Sequence, residues 1–167
     1  VAITDDDEKE DIVSSFLLNN IKERQLRRQQ NTSVFPTPFK QINQLTNAGG
    51  YEAGSILVIL DKQKRGKTAT LVNIARGYLR MKKKILVIDL ENGQENWFSR
   101  LEQSIMNVTK EQLLSGEYDD LVQKRFRKYK RLGGEIVVLR LPALTTTAND
   151  IENEMDKLYR EFNFSPD

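Results

Sequence analysis

Ser55-Ile-Leu-Val-Ile-Leu-Asp-Lys-Gln-Lys-Arg-Gly-Lys-Thr68 changes character twice within fourteen residues. Ile56 to Leu60 form a continuous apolar run with β-branched members, the pattern of a strand buried on both faces of a parallel sheet. From Lys67 onward the period becomes helical, with Leu71, Ile74, Ala75, Tyr78 and Leu79 on one face. The segment between them, Asp61 to Gly66, is short and basic. The first amides of a helix have no partner inside it, and they carry roughly half a positive charge. A strand, a small loop and a helix start therefore read as a cradle for the phosphates of a nucleoside triphosphate.

Each residue of the loop then has a candidate role. Asp61, Lys62, Gln63, Lys64, Arg65, Gly66, Lys67, Thr68 and Ala69 would surround the phosphates. Gly66, with no Cβ, lets the backbone come close to an oxygen. Lys67 would reach the β- and γ-phosphates as a point charge, and the Thr68 hydroxyl would complete the coordination of Mg²⁺. The full Walker A pattern has glycine at the first loop position, where this chain has Asp61; the strand before and helix after keep the phosphate reading. The competing reading is a plain strand–turn–helix whose lysine happens to follow a glycine.

A second apolar strand, Lys84-Ile-Leu-Val-Ile-Asp-Leu90, is followed directly by Glu91-Asn92-Gly93. In open α/β sheets ligands bind outside the carboxyl ends of the strands, so Glu91 is placed on the edge that carries the loop. A carboxylate there can orient and polarise a water for attack on the γ-phosphate. Alternatively, Glu91 is a charge favouring the N-terminus of the next helix, Gln94 to Met106.

These residues resemble a known group. Val34-Phe-Pro-Thr-Pro-Phe-Lys-Gln-Ile-Asn-Gln-Leu-Thr46, then Gly49-Gly50 and Gly54-Ser55, look like the opening of the motor domain of DnaB-type replicative DNA helicases, phage members in particular. That family's phosphate loop also commonly lacks the first glycine. Leu90-Glu91 matches the Leu-Glu pair carrying its catalytic glutamate, Arg100-Leu101 an Arg-Leu pair on the next helix, and residues 108–116 a short helix after it. A third strand, a Thr-rich turn and a helix follow over Val137 to Phe162.

The resemblance implies a RecA-like P-loop NTPase: an α/β fold with a mainly parallel sheet flanked by helices. It implies ATP and Mg²⁺ as cofactors, with Glu91 and Lys67 catalytic and Thr68 on the metal. It further implies a homo-oligomer, a hexameric ring with nucleotide between subunits, and single-stranded DNA held by regions beyond residue 167. A primase or loader would be a further partner. The family's Walker B strand, whose aspartate helps hold Mg²⁺, would begin where this chain stops. The expectation is therefore the N-terminal part of a motor domain, apparently truncated and inactive alone; Val1 in place of Met also suggests a trimmed chain.

Composition narrows the classes further. A chain of 167 residues can hold one real core, and a net charge of +2 is too small to imply nucleic acid by itself. Without cysteine or histidine there is neither a disulfide framework nor a usual zinc site. No stretch has the length of a membrane span or the layout of a signal peptide, so the expected setting is cytoplasmic, the host cytoplasm for a phage protein.

Residues 1–34 read as an acidic tail, an amphipathic helix and a linker ahead of a core at 35–167. Ile12, Val13, Phe16, Leu17 and Ile21 mark the helix's apolar face, and Lys22 to Arg28 its basic end. By resemblance, residues 12–28 dock on a neighbouring subunit; otherwise the helix covers an apolar patch of its own chain. Lys124 to Arg131 holds six basic residues and two aromatics. Such a run reads either as a nucleic-acid contact or, by helical spacing, as Val122, Phe126, Tyr129 and Leu132 facing the core with the bases on a solvated face; the spacing favours the second. Thr147 to Asp150 is a capping-box-like start for a helix burying Ile151, Met155, Leu158 and Phe162. Trp97 and Phe98 are expected in the core.

The expected function is an ATP-dependent helicase motor translocating on single-stranded DNA. Two alternatives stand beside it: a recombinase or clock-type ATPase of the same core, and a non-catalytic nucleotide-binding or assembly module.

Overall fold

The computed structural model describes residues 33–46, 48–91 and 93–167. The acidic tail, the amphipathic segment 12–28 and Asn92 lie outside the described residues. Contacts divide the chain between Leu57 and Val58 into two units, each taken here by itself.

In the first unit, β1 (Val34–Phe35) pairs antiparallel with β2 (Tyr51–Glu52), and α1 (Lys40–Gln44) lies between them in sequence. Thr37 and Asn43 close the turn into α1. The Thr37 amide and hydroxyl both donate to Asn43 Oδ1 at 2.8 Å, and Asn43 Nδ2 donates to the Thr37 carbonyl at 2.8 Å. Mutual satisfaction of this kind is what lets Thr37 sit at 5% exposure. Gly50 is needed for space: a Cβ there would lie 2.8 Å from the backbone of Phe35 and Pro36.

The second unit holds α2 (Lys67–Arg80), β3 (Lys84–Asp89), α3 (Gln94–Met106), α4 (Lys110–Leu114), α5 (Asp119–Arg131), β4 (Glu135–Arg140) and α6 (Ala148–Phe162). β3 and β4 pair in parallel, from Lys84↔Glu135 to Asp89↔Arg140. Ile85 and Val87, with Ile136 and Val138, face a core of Val72, Ala75 and Leu79 from α2 and Trp97, Leu101 and Ile105 from α3. The two-residue period of the strands thus meets one stripe of each helix. At the far end, Asp167 ties itself to the start of β3: its carboxylate accepts from the Lys84 amide at 2.7 Å and from Lys83 Nζ at 3.0 Å.

Several expectations hold. Trp97 is 4% exposed and Phe98 packs on the core. Phe126 and Tyr129 pack on it too, while the six basic residues of 124–131 are exposed. Others need correction. The expected strand Ile56–Leu60 is neither a strand nor buried: Ile56 is 88% exposed, Val58 66% and Leu60 87%. A strand exists only through its ladder partners, and among the described residues the parallel sheet consists of β3 and β4 alone. The expected larger parallel sheet is therefore reduced to a pair. On α2, Val72 rather than Leu71 is buried, because the stripe facing α3 lies one residue further round. On α6 only Leu158 of the expected face is buried, and Phe162 is 69% exposed. Phe164, beyond the helix end, fills the core position instead at 2% exposure. Leu132, expected in the core, is 46% exposed where α5 gives way to its terminal turn.

Candidate active site

The loop Asp61–Gly66 leads straight into α2, whose first residue is Lys67. Lys64 and Gly66 both take left-handed backbone angles, φ 59° and 94°, so the chain turns sharply twice within three residues. Gly66 serves as the N-cap, with no side chain capping the helix, and its carbonyl accepts from Thr70 at 2.9 Å. The leading amides of α2 are therefore left for an external acceptor.

Lys67 does not extend into solvent. Its ammonium folds back over the loop and donates to the carbonyl oxygens of Asp61 at 2.8 Å and Lys62 at 2.9 Å. The Asp61 carboxylate accepts from the Lys62 amide at 2.7 Å. The ammonium of Lys67 is thus held over the loop by two carbonyl acceptors, which a phosphate oxygen could replace as its partner. Asp61 works against that fit, since its carboxylate stands in the same loop. Thr68 is half-buried and its hydroxyl makes no hydrogen bond among the described residues, so it is available to a cation. For magnesium the protein's own donor set is narrow: no group of three Asp or Glu that could hold a metal occurs among the described residues.

Glu91 follows β3 and is exposed. Its amide donates to Asp89 Oδ1 at 3.1 Å, which folds the chain tightly as it leaves the sheet, and Asp89 itself is 7% exposed. The loop residues and Glu91 are not joined by any ion pair among the described residues. The structure thus brings Asp61, Lys62 and Lys67 together directly, and sets Glu91 separately at the carboxyl end of β3.

One residue at that end escaped the sequence reading. Arg140 closes β4 in register with Asp89. Its guanidinium lies on Gly93, where an added Cβ would stand 3.2 Å from Nη1. Gly93, at φ 85°, is thus fixed by backbone and by neighbour alike. Gln94 Nε2 donates to the Val138 carbonyl at 2.8 Å and locks the start of α3 to the same strand. The available signal was a lone cation inside the apolar run Val137-Val-Leu-Arg-Leu141 at a strand's carboxyl end.

Comparison with known proteins places the chain in a family. A "DnaB-like replicative helicase" of Enterobacteria phage T4 is 27% identical over 136 residues, covering 77% of this chain. The matched chain spans only 28% of that relative's length. The DnaB-like helicase C terminal domain family matches residues 35–164, from β1 to the core residue Phe164, and so takes in the loop, Glu91 and Arg140. The chain belongs to the DnaB-like helicase C-terminal domain family.

Proposed function

We propose that this chain binds Mg-ATP at the loop 61–69 and forms part of a replicative helicase motor that hydrolyses ATP to move along single-stranded DNA. The observation that carries the reading is Lys67, whose ammonium folds over the loop onto the carbonyl oxygens of Asp61 and Lys62 at a helix start that no side chain caps. Lys67 binds the β- and γ-phosphates, the amides of residues 66–69 bind the remaining oxygens, and Gly66 admits them. Thr68 holds the metal, and when bound the ion neutralises charge between the β- and γ-phosphates. Glu91 orients the attacking water. Oligomerisation, as a ring in which residues 12–28 dock on a neighbouring copy, and DNA contact outside the described residues belong to the same reading.

The test is DNA-stimulated ATP hydrolysis compared between wild type, Glu91→Gln and Lys67→Ala. The reading expects Glu91→Gln to keep ATP binding while losing turnover, and Lys67→Ala to weaken binding and lose turnover. Turnover unaffected by Glu91→Gln would remove that residue from the chemistry.

A further inference from the structure

We propose that Arg140 is a positioning residue for Glu91: its guanidinium pairs with the Glu91 carboxylate once nucleotide is bound and holds it toward the water. The inference rests on the catalytic reading of Glu91 given above and adds to it the group that sets its direction.

Four observations lead there. Register first: Arg140 is the partner, on the neighbouring strand about 4.8 Å away, of Asp89, which lies two residues before Glu91 along the chain. Packing second: the side chain lies along Gly93, with Nη1 3.2 Å, Cζ 3.8 Å and Cδ 3.9 Å from where a Cβ would be, so the guanidinium is already beside a residue two positions from Glu91. Third, Arg140 donates no side-chain hydrogen bond and forms no ion pair among the described residues, which leaves its five donors uncommitted. Fourth, the nearer carboxylate is engaged elsewhere: Asp89 is buried and accepts from the Glu91 amide. Glu91 is the exposed carboxylate that remains. The Gln94–Val138 bond ties the start of α3 to the strand that carries Arg140. An arginine suits this work because its planar fork can take both oxygens of a carboxylate and fix the plane in which they lie.

Binding of ADP·Mg²⁺ to the full chain, with and without aluminium fluoride as a mimic of the γ-phosphoryl group, tests the proposal by calorimetry. In wild type the fluoride should tighten binding. Arg140→Ala should match wild type for ADP but lose about tenfold for the fluoride complex. Glu91→Gln should lose a similar factor, and the double variant no more than either single one, because the two act as a unit. Arg140→Lys should recover part of the loss.

Equal weakening for ADP and for the fluoride complex in Arg140→Ala would make Arg140 a direct phosphate contact or a structural residue and overturn the proposal. Losses that multiply in the double variant, or no loss in Arg140→Ala, would overturn it as well. So would a wild-type chain that binds ADP but gains nothing from the fluoride, since nothing would then engage Glu91. A wild-type chain that binds no ADP at all overturns the nucleotide reading itself, and this inference with it.

Discussion

Lys67 and Asp61 are joined across the loop 61–66: the lysine ammonium donates to the aspartate's backbone carbonyl at 2.8 Å. The cation expected to hold a phosphate is thus occupied by the protein's own backbone before any ligand arrives. On the proposed reading, binding would exchange these carbonyl contacts for charged phosphate oxygens, which form stronger hydrogen bonds with an ammonium.

Asp61 carries the cost of that exchange. A triphosphate in the proposed site would lie in the same loop as its carboxylate, and like charges at close range repel by about 1 kcal/mol in a water-exposed loop. Asp61→Gly is expected to tighten Mg-nucleotide binding about fivefold. Lys67→Ala is expected to weaken it by about tenfold to a hundredfold, the range for a lost charged hydrogen bond. Fluorescence titration with a labelled ATP analogue reads both.

Gly134 ties the start of β4 to the end of α2. A Cβ there would lie 2.7 Å from the Leu79 carbonyl oxygen, a backbone atom with no room to retreat. Gly134→Ala should destabilise the chain by about 1–3 kcal/mol, the usual range for overpacking. Urea unfolding monitored at Trp97, which sits in the adjoining core, gives the value.

Thr147 caps α6 through a reciprocal pair. Its hydroxyl oxygen accepts from the Asp150 amide at 3.3 Å, while the Asp150 carboxylate accepts from the Thr147 amide at 2.8 Å. Thr147→Ala should cost about 1 kcal/mol of stability, read as a lower urea midpoint with an unchanged slope.

Glu102 sits in a cavity of about 400 Å³ with Glu95 and Asp119. Burial, followed by the repulsion of Asp119 and Glu95, raises its pKa above the ordinary 4.5. A raised folded-state value means the folded chain holds the proton more tightly than the unfolded one. Glu102 therefore contributes stability below pH 4.5 and loses it as the pH climbs through its folded value. Glu102→Gln should raise the melting temperature at neutral pH and bring no gain below pH 4.5.

The chain's local punctuation was legible in its residues, and its tertiary partnerships were less so. Thr147 and Asp150 announced the α6 cap, Gly133 and Gly134 the end of α5, and Gly66-Lys67-Thr68 the start of α2. Such signals depend on a few neighbouring residues. Burial depends on what lies opposite, which explains the errors at Ile56–Leu60 and at Phe162. Both have the composition of a core element, yet both are exposed, because apolarity says that a segment can be covered and not that something covers it. The loop's position before α2 was visible in residue types; the fold-back of Lys67 was not, since it is set by carbonyls that every residue carries. Arg140 went unnoticed because its meaning comes from register with Asp89, fifty-one positions away in the sequence (140 − 89).

The central claim is that a triphosphate seats in the loop 61–69. Amide ¹⁵N–¹H spectra of the chain, titrated with a non-hydrolysable ATP analogue and Mg²⁺, address it most directly. The account predicts that the largest shifts fall on residues 62–69, with Glu91 responding next, and that Lys67→Ala abolishes them. Spectra that leave residues 62–69 unmoved, or that shift only a distant surface such as the basic face of α5, would contradict it.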